Sequence, residues 1–135
     1  MVKCSIVYEG GLHCRLEHGP SGSVVSTDAP VDNHGKGESF SPTDLMCAAT
    51  AACMSTIMGI YAEQHGLNLA GMRLEVAKEM SAAPRRIARI GIEIHLPLPA
   101  DTPHREALEQ CALGSPAMHS LHPGIEVPIS WHWEG

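Results

Sequence analysis

Residues 45–62 (LMCAATAACMSTIMGIYA) carry no charged side chain. Ser41-Pro42-Thr43-Asp44 just before them is a helix start: Ser as N-cap, Pro at the first helical position, and an acid at the third, where it meets the open amides and the positive end of the dipole. Gly66 supplies the stop. A helix that is apolar all round must be covered all round. Membrane lipid is one possible cover, but the run is dominated by Ala, Thr, Ser, Cys and Met and falls short of the roughly 20 strongly apolar residues of a span. No membrane is therefore expected. The rest of the chain is poorly equipped for the task, with only two Trp, two Tyr and one Phe in 135 residues. A second copy of the chain is the economical cover, and a wrapped homodimer with this helix buried at its centre is expected.

The length suits a single domain spanning residues 1–135, and 44% hydrophobic against 18% charged residues suits a packed one. The formal charge of -6 argues against a nucleic-acid partner, whose affinity would rest on clustered Lys and Arg. Arg85-Arg86 is the only basic pair. The chain opens Met-Val-Lys-Cys with no basic-then-apolar leader, which makes the reducing cytoplasm the expected compartment.

Around the helix the pattern is that of strands. Residues 2–8 and 12–18 flank Glu9-Gly10-Gly11 as a hairpin, with Cys4, Ile6 and Tyr8 on one face and Leu12, Cys14 and Leu16 on one face of the partner. Arg15 points away from that apolar face. Residues 23–27 form a third strand, and the Pro-, Asp-, Asn- and Gly-rich residues 28–37 form a loop. Residues 72–80 and 88–96 alternate as two half-buried strands, most simply antiparallel. Asp101-Thr102-Pro103 opens a second helix through about Leu113. Gly114 ends it, and Ser115-Pro116 caps a short further turn. Ile125, Val127, Ile129, Trp131 and Trp133 share a face of a last strand, with Pro128 marking an edge. The order β-β-β-α-β-β-α-β is α+β.

Five cysteines (Cys4, Cys14, Cys47, Cys53 and Cys111), without Cys-x-x-Cys, exclude a disulfide framework and leave free thiols as the place to look for chemistry. Cys4, Cys14 and Cys47 read as packing. Cys53 lies mid-helix, sharing a face with Ala49, Thr50, Thr56, Ile57 and Ile60; the residues alone favour packing for it too. To act as a thiolate it needs a cation from elsewhere, and Arg15 is the candidate, with pairing to Glu17 as the plainer alternative. His119 and His122, near Cys111 and Ser115, lack the second ligand pair of a zinc site, so no metal or cofactor is expected. Ser115 has no Gly-x-Ser-x-Gly around it and reads as a cap.

The segment Gly37-Glu38-Ser39-Phe40-Ser41-Pro42-Thr43-Asp44-Leu45, leading into Ala51-Ala52-Cys53-Met54, resembles the signature of the OsmC/Ohr family. Ser115-Pro116-Ala117-Met118-His119-Ser120-Leu121 is similar to that family's Cys-Pro-Val-x-x-Ser-Leu motif. The resemblance implies an OsmC-like fold and an intertwined homodimer with two active sites at the subunit interface. It also implies reduction of organic hydroperoxides by an Arg-assisted thiolate, whose sulfenic acid condenses with a second Cys and is reset by an external thiol. Cys53 matches the attacking Cys, and Arg15 the activating Arg. Two positions depart from the pattern. The second Cys falls on Ser115, and the Glu after the Pro is Thr43; the adjacent Asp44 projects about 180° away from Cys53 around the helix. Cys111, four residues before Ser115, would serve as a displaced resolving thiol if the helix continued through Gly114.

The expectation is an OsmC-like homodimer that reduces organic hydroperoxides through Cys53. The alternative is a non-catalytic relative in which the same pocket binds a small apolar molecule.

Overall fold

In a computed structural model describing residues 1–135, the long helix begins where its capping residues put it. The Asp44 amide donates to Ser41 Oγ at 3.0 Å, and the Ser41 amide donates to Asp44 Oδ2 at 2.9 Å. This reciprocal box satisfies donors that have no partner inside the helix, with Asp in the place usually held by Glu. The helix, α1, runs over Pro42–Gln64 and ends before Gly66, whose φ of 66° is left-handed.

The chain settles into two compact units, Met1–Met46 and Cys47–Gly135. The first holds an antiparallel sheet in the order β1 (Cys4–Gly10), β2 (His13–His18), β3 (Val24–Asp28). The hairpin turn takes positive φ at Gly10, Gly11 and also Leu12. Ile6 faces Leu16, Tyr8 faces Cys14 and Cys4 faces His18, so Cys4 and Cys14 stand apart as the pattern requires. Past β3 the chain loops back on itself through a single carboxylate. Asp28, buried, accepts from the Glu38 amide at 3.0 Å and lies 3.2 Å from His13 Nδ1, while its own amide donates to the Phe40 carbonyl. The amide bond first, and His13 second, hold its pKa below the usual carboxylate value. Inside the loop Gly35 passes so close to the Ala29 carbonyl that a Cβ would lie 1.7 Å from the oxygen, so only glycine fits.

The second unit holds β4 (Arg73–Ala82), β5 (Arg85–Leu96) and β6 (Ile129–Trp133) in that order. β4 and β5 are antiparallel, as their alternation suggests. The alternation is broken once: Glu79 pairs with Arg89 but Met80 pairs with Ile87, leaving Ala88 as an extra residue. The bulge turns Ile87 into the core in the place expected for Ala88. β6 runs parallel to β5 at the sheet edge, reached by a crossover through α2 (Arg105–Leu113) and α3 (Pro116–Ser120). It begins only after Pro128, which has no amide to donate but accepts from the Ile92 amide at 3.0 Å. The second helix starts at Arg105 rather than at Pro103 because Thr102 first closes a turn, its amide on the Pro99 carbonyl and its hydroxyl accepting from His104.

In this unit Cys47, Ala51, Met54, Met58 and Ala62 of α1 join Ile90, Ile92, Ile94 and Leu96 of β5 and Leu108 and Ala112 of α2 in one core. Trp131 and Trp133 pack at its margin, and Arg105 lies 5.5 Å from the Trp133 ring centroid. The mixed order β-β-β-α-β-β-α-β, with α3 as an added short turn, is the α+β arrangement expected.

The depressed pKa of Asp28 carries a sign. Its contribution to stability is present above the ordinary carboxylate value near 3.8 and is lost as pH falls through the lower folded value. Denaturant unfolding of wild type and Asp28→Asn is expected to differ most at neutral pH and to converge in acid; a gap that widens in acid would contradict this.

Candidate functional site

α1 is the element that presents Cys53. Its uncharged stretch, residues 45–62, offers no direction for a polar face, yet burial is one-sided. Cys47, Thr50, Ala51, Met54, Met58 and Ala62 are buried, whereas Met46, Ala49, Ala52, Thr56 and Ile60 remain exposed and Cys53 is half-buried beside them. Two hydroxyls near Cys53 bond within the helix: Ser55 Oγ donates to the Ala51 carbonyl at 3.2 Å and Thr56 Oγ1 to the Ala52 carbonyl at 2.9 Å. Cys53 is therefore a thiol on an apolar stripe. None of the five cysteines is in a disulfide.

The other expected residues are distributed over both units. Arg15, on β2 of the first unit, stands 3.8 Å from Glu17 Oε1 with its side chain 41% exposed, which is the plainer pairing weighed from the sequence. Ser115 is fully buried in the second unit as N-cap of α3, its Oγ accepting from the Met118 amide at 3.4 Å. The Ser-Pro pair thus has a structural task that a thiol would perform poorly. Cys111 lies on α2, half-buried and packed against the core, where burial raises its thiol pKa and disfavours the thiolate. Helical geometry stops between it and Ser115: Gly114 has ψ 11° and Ser115 is extended at ψ 147°. The continuous turn that would stack Cys111 beneath Ser115 is not formed.

What these elements define is an α+β protein with a thiol on the uncovered stripe of its central helix. A family model described as OsmC-like protein matches residues 35–130, and the chain belongs to that family. It is similar, at 39% identity and TM-score 0.93 over 98% of this chain and 96% of the other, to a crystal structure from Psychrobacter arcticus. That relative is described as a candidate osmotic stress induced and detoxification response protein. An organic hydroperoxide resistance protein OsmC from Legionella pneumophila shares the fold at TM-score 0.77 and 17% identity, covering 98% of this chain and 96% of its own. So does a candidate organic hydroperoxide resistance protein from Vibrio cholerae with captopril bound in one of its active sites, at TM-score 0.72 and 17% identity over 98% and 92%. No curated protein matches.

A group of polar residues on the outer face of β4, β5 and β6 carries no signal in the sequence, because β6 joins the β4–β5 pair only across a long crossover.

The raised pKa of Cys111 slows its alkylation at neutral pH. With iodoacetamide and peptide mapping, its rate is expected to keep rising at pH values where an ordinary cysteine has levelled off; an early plateau would contradict the burial argument.

Proposed function

We propose that this OsmC-like chain reduces organic hydroperoxides as a homodimer in the cytoplasm, using Cys53 as its only reacting thiol. The observation that carries the reading is a half-buried cysteine on an apolar stripe of the central helix in a chain of the OsmC-like family. The stripe offers a hydrocarbon-bearing peroxide a matching surface. The 39% identical relative described in terms of detoxification supports the same direction.

The chemistry follows from the residues. A Cys53 thiolate attacks one peroxide oxygen, the O–O bond breaks, the alkoxide leaves and takes a proton as alcohol, and the sulfur becomes a sulfenic acid. Position 115 offers a hydroxyl and not a thiol, and burial disfavours the Cys111 thiolate. An external thiol therefore condenses with the sulfenic acid, releasing water and leaving a mixed disulfide. A second external thiol then displaces Cys53 and closes the cycle with the reductant oxidised to its disulfide. The thiolate forms mid-helix, beyond help from the helix N-terminus, so it needs a cation. Arg15 is assigned that part. Its pair with Glu17 is exposed and of a kind worth only about 0–1 kcal/mol, so releasing it costs little.

Ser115 and Thr43, both departures from the two-cysteine pattern, favour a second reading in which the same stripe binds a small apolar molecule without turnover. Incubation with cumene hydroperoxide and a dithiol, followed by peptide mapping, separates the two. Oxidation of Cys53 ahead of Cys47, with turnover lost in Cys53→Ser and reduced at least tenfold in Arg15→Ala, is the expected result. A ligand-induced rise in melting temperature without oxidation of Cys53 would favour the binding reading and overturn the catalytic one.

A further inference from the structure

The outer face of the β4–β5–β6 sheet brings together side chains with no part in the thiol chemistry. Glu75 of β4 stands directly opposite Glu93 of β5, and His95 of β5 stands opposite His132 of β6. One ligand atom from each of Glu75, Glu93 and His95 lies within 4.8 Å of the others. The His95 and His132 rings are stacked, with centroids 4.4 Å apart and planes 9° apart. His132 Nε2 is 3.4 Å from Glu93 Oε1, yet it is shut off from solvent and makes no hydrogen bond.

Two further features point to a cation. First, a like-charge pair directly across two strands is destabilising by itself, and Glu75–Glu93 is one. Arg73, whose Nε lies 3.3 Å from Glu75 Oε1, offsets it on one side only, and Arg89 is turned to Glu79 at 3.3 Å. Second, Glu134 accepts a hydrogen bond from His95 Nδ1. A carboxylate can only accept there, so in the neutral ring the proton is on Nδ1 and the Nε2 lone pair is free to ligate. A carboxylate behind a histidine is the arrangement that fixes tautomer and ring direction at metal sites. Beside the group lies a groove of about 380 Å³, floored by Ala77 and Gly91 and bordered by Glu75, Glu93 and Ser130, which gives water a path to it.

We propose that Glu75, Glu93 and His95 form a surface site for a divalent transition metal of the zinc class, with His132 as a further donor and Glu134 orienting His95. Imidazole nitrogen with carboxylate oxygen suits zinc at bond lengths of about 2.0–2.2 Å, leaving room for water as a remaining ligand. Glu75, Glu93, His95 and His132 sit on adjacent strands of one sheet and Glu134 directly follows β6, so ligation asks for rotamer adjustment of the exposed glutamates around a half-buried His95. The site is separate from Cys53, and the proposal stands whether or not that thiol reduces peroxides.

Cobalt(II) is the probe, titrated into the tag-free full chain under reducing conditions. Saturable visible d–d bands are expected, without a thiolate-to-cobalt charge-transfer band, and lost when zinc(II) is added. Glu93→Gln and His95→Gln should each weaken binding tenfold or more. Glu134→Gln, which keeps every ligand, should weaken it about tenfold. Absence of binding, a thiolate charge-transfer band, or undiminished affinity in Glu93→Gln and His95→Gln would each overturn the proposal.

Discussion

A central helix that is uncharged from Leu45 to Ala62, with more apolar surface than its own chain covers, is the constraint on which the molecule turns. Burying hydrocarbon is worth about 25 cal/mol per Å², and α1 obtains this along the side occupied by Met54 and Met58, both fully buried. Along Ala49, Ala52, Thr56 and Ile60 it does not. The first unit repeats the imbalance. Ile6 and Tyr8 on one face of β1 and Val7 on the other are all more than half exposed, and a three-stranded sheet needs a packed face to be stable. Two surfaces of this kind on one chain are the physical argument for a second copy, and a residue on the α1 stripe would then face the partner rather than water.

That constraint also shapes the chemistry proposed for Cys53. The uncharged middle of α1 cannot supply a counter-ion, so a thiolate there depends on a cation from elsewhere, the part proposed for Arg15. The same economy is visible at Ser115. Its hydroxyl starts α3 and is wholly buried, so restoring a thiol at that position would weaken a cap as well as add a reactive group. Resolution of an oxidised Cys53 by an outside thiol avoids that conflict.

Much of this was legible in the sequence where the signal is local. Ser41, Pro42 and Asp44 marked the start of α1, Ser115-Pro116 marked α3, and the Gly10-Gly11 turn set a register that keeps Cys4 from Cys14. The pairing of Arg15 with Glu17 was also visible as the plainer option, since both lie on one face of β2. What escaped was set by non-local pairing. The bulge that brings Ile87 into the core in place of Ala88 depends on β4, and the parallel seating of β6 depends on a crossover of some thirty residues between Leu96 and Ile129. The Glu75, Glu93, His95 and His132 group is a product of those pairings, and no spacing along the chain announces it.

The second copy proposed as the cover of α1 is open to direct measurement. Light scattering of the full-length reduced protein in dilute neutral buffer measures it directly. A mass twice the 14.4 kDa of the chain is the predicted result, and a stable, soluble species of 14.4 kDa at micromolar concentration would contradict it.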